Sequence, residues 1–254
     1  MNKKTVAVRA AKKAGAAVAL MGKKKIRYKI KEKRDVLAEA DLRSEKIIIN
    51  EIKKNFPQHS ILSEEQGETI KDSDYLWIID PVDGTINFTR KLHAYCVSIA
   101  LAYKDELILG VIYNPVIKNL YVAEKGKGAF LNGKRINVTS ENKMMNMLLT
   151  LNTSRNLQVR KQNFQLLIKL SSKIGHIRMF GSVALHLAKV AAGKTDIYFN
   201  KRSNYWDYAA GIVLVREAGG MVTDFNGNEV TKSSKDIIAS NGKIHQTILK
   251  SLNK

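Results

Sequence analysis

The sequence predicts a mixed chain, α+β in its front half and α/β in its back half, and three observations carry that prediction. Residues 94–138 hold four β-rich segments (94–103, 106–113, 119–123 and 129–138) separated by Lys104-Asp105, Asn114-Pro115 and Asn132-Gly133, the pattern of an antiparallel meander. Beyond Met147, strand-like and helix-like stretches alternate, as they do in an α/β layer. Between these regions lies a polar, methionine-spotted stretch, Glu141–Asn146, that reads as a boundary. The expected organisation is an N-terminal α+β domain over residues 1–142 and a C-terminal α/β domain over residues 143–254.

Residues 3–22 are expected to be helical, because Val6, Ala10, Ala14, Ala17 and Met21 recur at helical spacing, and their small size predicts close packing on a neighbour. Lys23–Arg34 follows, with eight basic residues and one acid. A second helix is expected over 42–55, with Asp41 placed to cap it. Ser60–Ser63 reads as a strand delivering Glu64 and Glu65. Tyr75–Ile79 reads as a buried strand that stops at Asp80-Pro81, because proline cannot donate to a sheet ladder. In the back half, strands are expected over 147–151, 176–180, 195–200, 221–225 and 236–239, and helices over 157–172, 183–192, 207–218 and 243–252. Gly193 and Gly219-Gly220 sit where helix C-caps belong.

Composition narrows the class. A chain of 254 residues can build one large core or two modest domains, and 44% hydrophobic with 26% charged residues is not the composition of a disordered protein. No apolar run approaches the roughly 20 residues a membrane span needs, so no membrane partner is expected. Lys3, Lys4, Arg9, Lys12 and Lys13 interrupt the front end, which argues against a secretory leader. Cys96 is the only cysteine; an internal disulfide is excluded, and a reducing cytoplasm is the expected location. The net charge is +20, and residues 1–35 contribute +11 of it. A basic surface attracts phosphates of any kind, so nucleic acid enters as a partner through this front end, although a solvated lysine-rich surface is the favoured explanation. The five histidines have no zinc spacing, and there is no P-loop, Gly-x-Ser-x-Gly elbow or dinucleotide fingerprint.

The chemistry concentrates in Trp77-Ile-Ile-Asp80-Pro-Val-Asp83-Gly84-Thr85-Ile-Asn-Phe88. The order implied is strand, acidic turn, helix start. Carboxylates in such a turn can hold a divalent cation, while amides at the helix start face an anion. Asp-Pro and Asp-Gly are also ordinary turn pairs. Two further acidic spots favour function: Glu64-Glu65 after Ile61-Leu62, and Asp207 after Trp206 at the start of an Ala-rich helical run. Hard cations such as magnesium take several oxygens from separate segments. Gly181-Ser182, between a strand and a helix, can either bring a ligand close to the backbone or simply cap the helix.

Ser63-Glu64-Glu65, the Trp77–Phe88 stretch and Trp206-Asp207, with Gly181-Ser182 before one helix and Glu217-Ala-Gly-Gly220 after another, resemble the inositol monophosphatase family from Asp35 to Asn241. The resemblance implies a layered αβαβα sandwich with the site in the cleft between the halves. It implies that Glu64, Asp80 and the carbonyl of Val82 hold a first Mg2+, that Asp80, Asp83 and Asp207 hold a second, and that Asp41 completes a weaker third site. Mn2+ is a possible substitute and Li+ an inhibitor. Glu64 and Thr85 would orient the attacking water, the amides of Gly84 and Thr85 would cradle the phosphate, and Asp83 and Asp207 would meet substrate hydroxyls or the leaving oxygen. Gly181 and Ser182 would line the substrate pocket. Leu37-Ala38-Glu39 departs from the family's common Val-Thr-Glu, and Asn200 stands where inositol-phosphate members often carry a glutamate.

The implied activity is hydrolysis of a small phosphorylated polyol or sugar, inositol-1-phosphate first. Fructose 1,6-bisphosphate is the alternative, with Lys201 and Arg202 placed to meet a second phosphate. Nucleotide 3′-phosphatase activity and an RNA-binding regulator on the same fold rank lower. The family's common homodimer is expected.

Overall fold

In a computed structural model, residues 1–24, 26–30, 36–154 and 156–252 are described. Part of the basic run Lys23–Arg34, where the resemblance implies a mobile loop, and Asp35 lie outside the described residues. Helix α1 (Lys3–Gly22) opens on Asn2, whose side chain accepts the Thr5 amide at 2.8 Å. Strands β1 (Tyr28–Ile30) and β2 (Val36–Ala38) pair antiparallel and lead into helix α2 (Glu39–Asn55). The second helix thus starts before Asp41, so the expected cap role is corrected: Asp41 sits inside the first turn.

The first sheet contains β3 (Ser60–Ser63), β4 (Gly67–Thr69), β5 (Tyr75–Asp83), β6 (Cys96–Tyr103), β7 (Glu106–Asn114), β8 (Asn119–Glu124), β9 (Gly128–Leu131) and β10 (Lys134–Ile136). Its order is β10-β9-β8-β7-β6-β5-β3-β4, antiparallel except for the parallel β3–β5 pair. The expected meander is its β6–β10 part. The short helix α3 (Thr85–Thr89) lies between β5 and β6. Contrary to expectation, β5 does not end at Pro81. The ladder to β6 loses register between Asp80 and Asp83 and resumes at the Asp83–Cys96 pair, so an irregular stretch absorbs the missing proline N–H.

The back half alternates as expected: β11 (Leu148–Leu151), α4 (Leu157–Ser171), β12 (His176–Arg178), α5 (Val183–Ala191), β13 (Ile197–Lys201), α6 (Tyr205–Glu217), β14 (Met221–Thr223), β15 (Asp236–Ser240) and α7 (His245–Leu252). The second sheet runs β12-β11-β13-β15-β14, with β12, β11 and β13 parallel.

Period-two alternation decides the layering. Trp77, Ile79, Ile99, Leu101 and Val111 face the alanine stripe of α1 and Ile48, Ile49 and Ile52 of α2. Ile78, Ala100 and Ile112 face α5 and α6, whose opposite side meets Tyr198, Ile237 and Ala239 of the second sheet. Leu149, Ile197, Phe199 and Ile238 on that sheet's other face pack on Leu166 and Leu170 of α4 and Ile248 and Leu252 of α7. The result is the αβαβα sandwich. Its central helices are apolar all round because both sides are covered: α6 is buried continuously from Tyr208 to Val215. In the outer layer Arg9 and Lys13 of α1 meet the buried Glu51 of α2. Burial alone would raise the Glu51 pKa, but hydrogen bonds from the two cations bring it below its ordinary value.

Gly110 in β7 marks a close approach of sheet to central layer, because a Cβ there would collide with the carbonyl of Ala210. Gly110→Ala must push α6 away from the sheet. Urea unfolding should show a loss of about 1–3 kcal/mol; unchanged stability would mean the layers are loosely packed at this point.

Candidate active site

The chain brings its acidic motifs together in one cleft lined from both sheets and the central helix layer. Glu64 follows β3, Asp80 and Asp83 lie on β5, and Asp207 lies in the first turn of α6. All four side a cleft of about 540 Å³, together with Val82, Gly84, Thr85, Gly181 and Asn200. Two larger cavities, about 630 and 810 Å³, flank Phe88 and, among the described residues, hold no carboxylate other than Glu39. Chemistry, not size, therefore assigns the site.

Asp80 is only 2% exposed, and its Oδ1 accepts the Val82 amide at 3.0 Å. Burial holds its carboxyl well above the usual range, and the charges of Glu64, Asp83, Asp207 and Asp41 push it further. Asp83 is raised to about 6, by burial, despite accepting from Ser182 Oγ and Ala184 N at 2.6 Å and Val183 N at 3.2 Å. Asp207 Oδ2 accepts the Asn204 amide at 2.8 Å, so it supports the start of α6 from inside the first turn, with Asn204 at the cap position. Among the described residues, no three Asp, Glu, His or Cys side chains close on one point as a preformed metal cage. The donor set nevertheless suits a hard divalent cation: it consists of carboxylates and a backbone carbonyl, and their mutual repulsion would be relieved by positive charge.

Gly84 adopts φ 95° and ψ 38°, and a Cβ on it would stand 2.8 Å from the Ala94 carbonyl. Only glycine fits the turn that swings the chain from β5 into α3. Thr85 Oγ1 can donate to Asp41 Oδ1 at 3.0 Å or to the Val82 carbonyl at 3.1 Å. Asp41 is 1% exposed and does not line the cleft; it is linked to the site by the Thr85 hydroxyl and by its charge on Asp80.

Other substrate residues expected from the sequence are placed differently from one another. Gly181 lines the cleft, whereas Ser182 is fully buried behind it. The Ser182 hydroxyl donates to Asp83 and accepts the Leu185 amide at 3.2 Å, so it caps α5 and is not placed as a pocket wall. Asn200 lines the cleft, but both ends of its amide are engaged: Nδ2 donates to Ser203 Oγ at 2.6 Å and Oδ1 accepts from Asn163 Nδ2 at 3.0 Å.

Several contributors went unrecognised in the sequence. Asn87 Nδ2 donates to the carbonyls of Ala94 and Phe180, both at 2.7 Å, tying α3 to the loop that carries Gly181. His186, fully buried under that loop, has its pKa lowered to about 3 by burial and accepts the Phe180 amide at 3.3 Å. Asn152, Thr153, Ser154 and Arg160 form a further wall. Asn87 lay inside the motif but carried no charge to mark it. Arg160 was one cation among many.

The match to the model of the Inositol monophosphatase family extends over residues 2–254. A fructose-1,6-bisphosphatase/inositol-1-monophosphatase of Thermotoga maritima is 40% identical over 87% of this chain and 83% of its own length. A Nus factor SuhB of Pasteurella multocida is 37% identical over 96% of this chain and 93% of its own. A crystal structure of the extragenic suppressor protein suhB from Bartonella henselae superposes with a TM-score of 0.95 at 38% identity, covering 98% of each chain. A five-layer sandwich with an acidic cleft between its sheets defines a phosphatase-type scaffold. The chain belongs to the inositol monophosphatase family, whose members are phosphatases and are generally metal-dependent.

The crowding of acids predicts a stability trade-off. Asp80→Asn keeps an oxygen to accept the Val82 amide and removes one charge. The raised pKa values mean that the folded protein holds protons the unfolded chain has released, so wild-type stability falls as pH rises from the ordinary carboxylate range through about 6, where Asp83 ionises. In EDTA, the variant should melt close to wild type at pH 4 and become more stable toward pH 7.5 by about 1 kcal/mol. Thermal melts across that range check the sign; a variant less stable at pH 7.5 refutes it.

Proposed function

We propose that this chain is a Mg2+-dependent phosphomonoesterase acting on small phosphorylated polyols or sugars, with inositol-1-phosphate as first substrate. The observation that carries the proposal is the convergence of Asp80, its carboxyl raised by burial and then by its acidic neighbours, with the Gly84–Thr85 turn in one cleft. Glu64, Asp80, Val82, Asp83 and Asp207 would hold the Mg2+ ions. When bound, these ions would neutralise the phosphate, lower the pKa of water and stabilise the departing oxygen.

The chain's own residues supply the remainder. Thr85 has one hydroxyl hydrogen, committed toward Asp41 or the Val82 carbonyl, which leaves its oxygen to accept a hydrogen bond from water. Glu64 on the cleft wall is the second acceptor, so the two fix the direction of the water's lone pair. The amides of Gly84 and Thr85 form a cradle for phosphate oxygens. The water oxygen bonds to phosphorus as one of its protons passes to Glu64, the bond between phosphorus and the ester oxygen breaks, and the leaving oxygen takes a proton from solvent in the open cleft, giving an alcohol and inorganic phosphate; Glu64 then returns its proton to solvent.

A second reading, fructose 1,6-bisphosphate, is favoured by the opposite wall. Arg160 and Arg202 both line the cleft, and the Arg160 Nε–H is anchored on the Ser154 carbonyl at 3.0 Å. Asn200, with its amide engaged internally, is poorly placed to read a polyol. The relative's printed name, fructose-1,6-bisphosphatase/inositol-1-monophosphatase, supports testing both substrates together.

Phosphate release from inositol-1-phosphate and fructose 1,6-bisphosphate, with Mg2+ or EDTA, is the direct test. Asp80→Asn should lower kcat/KM on both by about a hundredfold or more with the fold intact by circular dichroism. Arg160→Gln should lower kcat/KM on the bisphosphate by about tenfold and leave the monophosphate nearly unchanged. Near-normal turnover by Asp80→Asn sinks the proposal, and equal effects of Arg160→Gln on both substrates remove the second reading.

A further inference from the structure

The exposed end of the site is held by a buried helix face that takes no part in lining it. Asp41, Ser44 and Glu45 lie on one side of α2, three and four residues apart, and are 1%, 0% and 0% exposed. Each reaches a different segment. Asp41 accepts from Thr85, Ser44 Oγ donates to the Pro81 carbonyl at 2.7 Å, and Glu45 reaches the turn after β3. On that turn Glu45 Oε1 accepts from Ser63 Oγ, from the Glu65 amide at 3.1 Å and from the Gln66 amide at 3.2 Å. These donors bracket Glu64 on both sides.

We propose that Glu45 is a positioning residue that presets the Glu64 carboxylate for the divalent cation. The inference rests on the cation-dependent reading given above. Glu45 does not line the cleft, so it acts through the turn alone. Its Oε2 is buried without a hydrogen-bond partner among the described residues. Burying a carboxylate with one oxygen unsatisfied is costly, and an apolar residue would fill the same space without that penalty. A single oxygen accepting three donors around one turn is what makes the charge useful: it fixes the backbone on either side of Glu64 and shortens the set of directions its side chain can take. Gln66, two residues beyond Glu64, and Ser63, just before it, are thereby prevented from swinging independently. Glu64 N also bonds to the Ile79 carbonyl at 3.2 Å, which hinges the turn to β5 beside Asp80. Without Glu45 this hinge remains, but the far side of the turn is released. A cation at high concentration can still draw Glu64 into place, so the cost falls on cation affinity before it falls on turnover.

The test compares the full chain with Glu45→Leu, Glu45→Gln and Ser63→Ala. Mg2+ binding is measured by titration calorimetry without substrate, Mg2+ dependence by phosphate release from inositol-1-phosphate, and folding by thermal melts. Glu45→Leu should bind Mg2+ about tenfold or more weakly, in the range seen when groups that orient metal ligands are removed. Its kcat at saturating Mg2+ should stay close to wild type. Glu45→Gln, which keeps an acceptor oxygen, should recover most of the affinity, and Ser63→Ala should fall between. A variant that is merely less stable would shift its melt without moving the Mg2+ titration. Superimposable Mg2+ titrations for wild type and folded Glu45→Leu overturn the inference. Should Glu45→Leu not fold, wild-type Mg2+ affinity in Ser63→Ala overturns it instead. A wild type that binds no Mg2+ at all overturns both this inference and the functional proposal, whereas normal binding with unaffected variants removes Glu45 alone.

Discussion

Burying Asp80 among other acids is the constraint on which the site's construction depends. A carboxylate at 2% exposure, pushed up first by burial and then by Glu64, Asp83, Asp207 and Asp41, works against the folded state at neutral pH. The fold limits that cost by giving the acids protein donors. Asp80 receives the Val82 amide, Asp83 two amides and a hydroxyl, Asp207 the Asn204 amide, and Asp41 the Thr85 hydroxyl. Hydrogen bonds of this kind steady ionised oxygens without cancelling their charge. The residual repulsion is what a divalent cation would relieve, so the same arrangement that destabilises the cation-free protein would favour binding one.

The halves of the chain are joined at this point and not only by the apolar central layer. Asp83 on β5 binds the first turn of α5, and Asn87 on α3 binds the Phe180 carbonyl just before it. Gly181 has φ 75° and would place a Cβ 2.8 Å from Asn87 Nδ2, so the join leaves no room for a side chain. Glu217, from the quoted Glu-Ala-Gly-Gly motif, does similar work away from the cleft, accepting the Gly126 and Gly128 amides at 2.8 and 2.7 Å to latch α6 onto the β8–β9 turn. Residues that mark the family in sequence are thus partly structural ties.

What the sequence made legible follows from charge and period. Glu64, Asp80, Asp83 and Asp207 stood out because acids at the ends of apolar runs are unusual, and the strand-helix alternation after Met147 is a strong periodic signal. Asn87, Asn163 and Glu45 did not stand out, because their function is to bond specific partners far along the chain, and a lone polar residue in a helix looks the same whether it faces water or a buried turn. Ser182 was legible as a helix start, but its direction was not: whether a capping hydroxyl faces the cleft or Asp83 depends on the packing of the two halves. The continuation of β5 beyond Pro81 was missed for a related reason, since proline's lost donor is absorbed by an irregular register with β6 that no local rule reveals.

The location of the cleft follows from strand polarity. The parallel strands β3 and β5 of the first sheet end just before Glu64 and at Asp80–Asp83, and the parallel strands β11 and β13 of the second end near Asn152 and at Asn200–Lys201. In open α/β sheets the carboxyl ends of parallel strands are where connections splay apart and a ligand can enter. Here two sheets present such ends to one cleft, with the starts of α3 and α6 beside them. Three of the four acids stand at the carboxyl ends of the first sheet's strands, whereas Arg160 of α4 and Arg202 just after β13 line the opposite side, so the cleft sets a wall suited to cations against a wall suited to anions. On the proposed reading, cations held by the acids would seat the phosphate against the Gly84–Thr85 turn, and the remaining groups of the ester would lie toward the α4 side, beside Arg160.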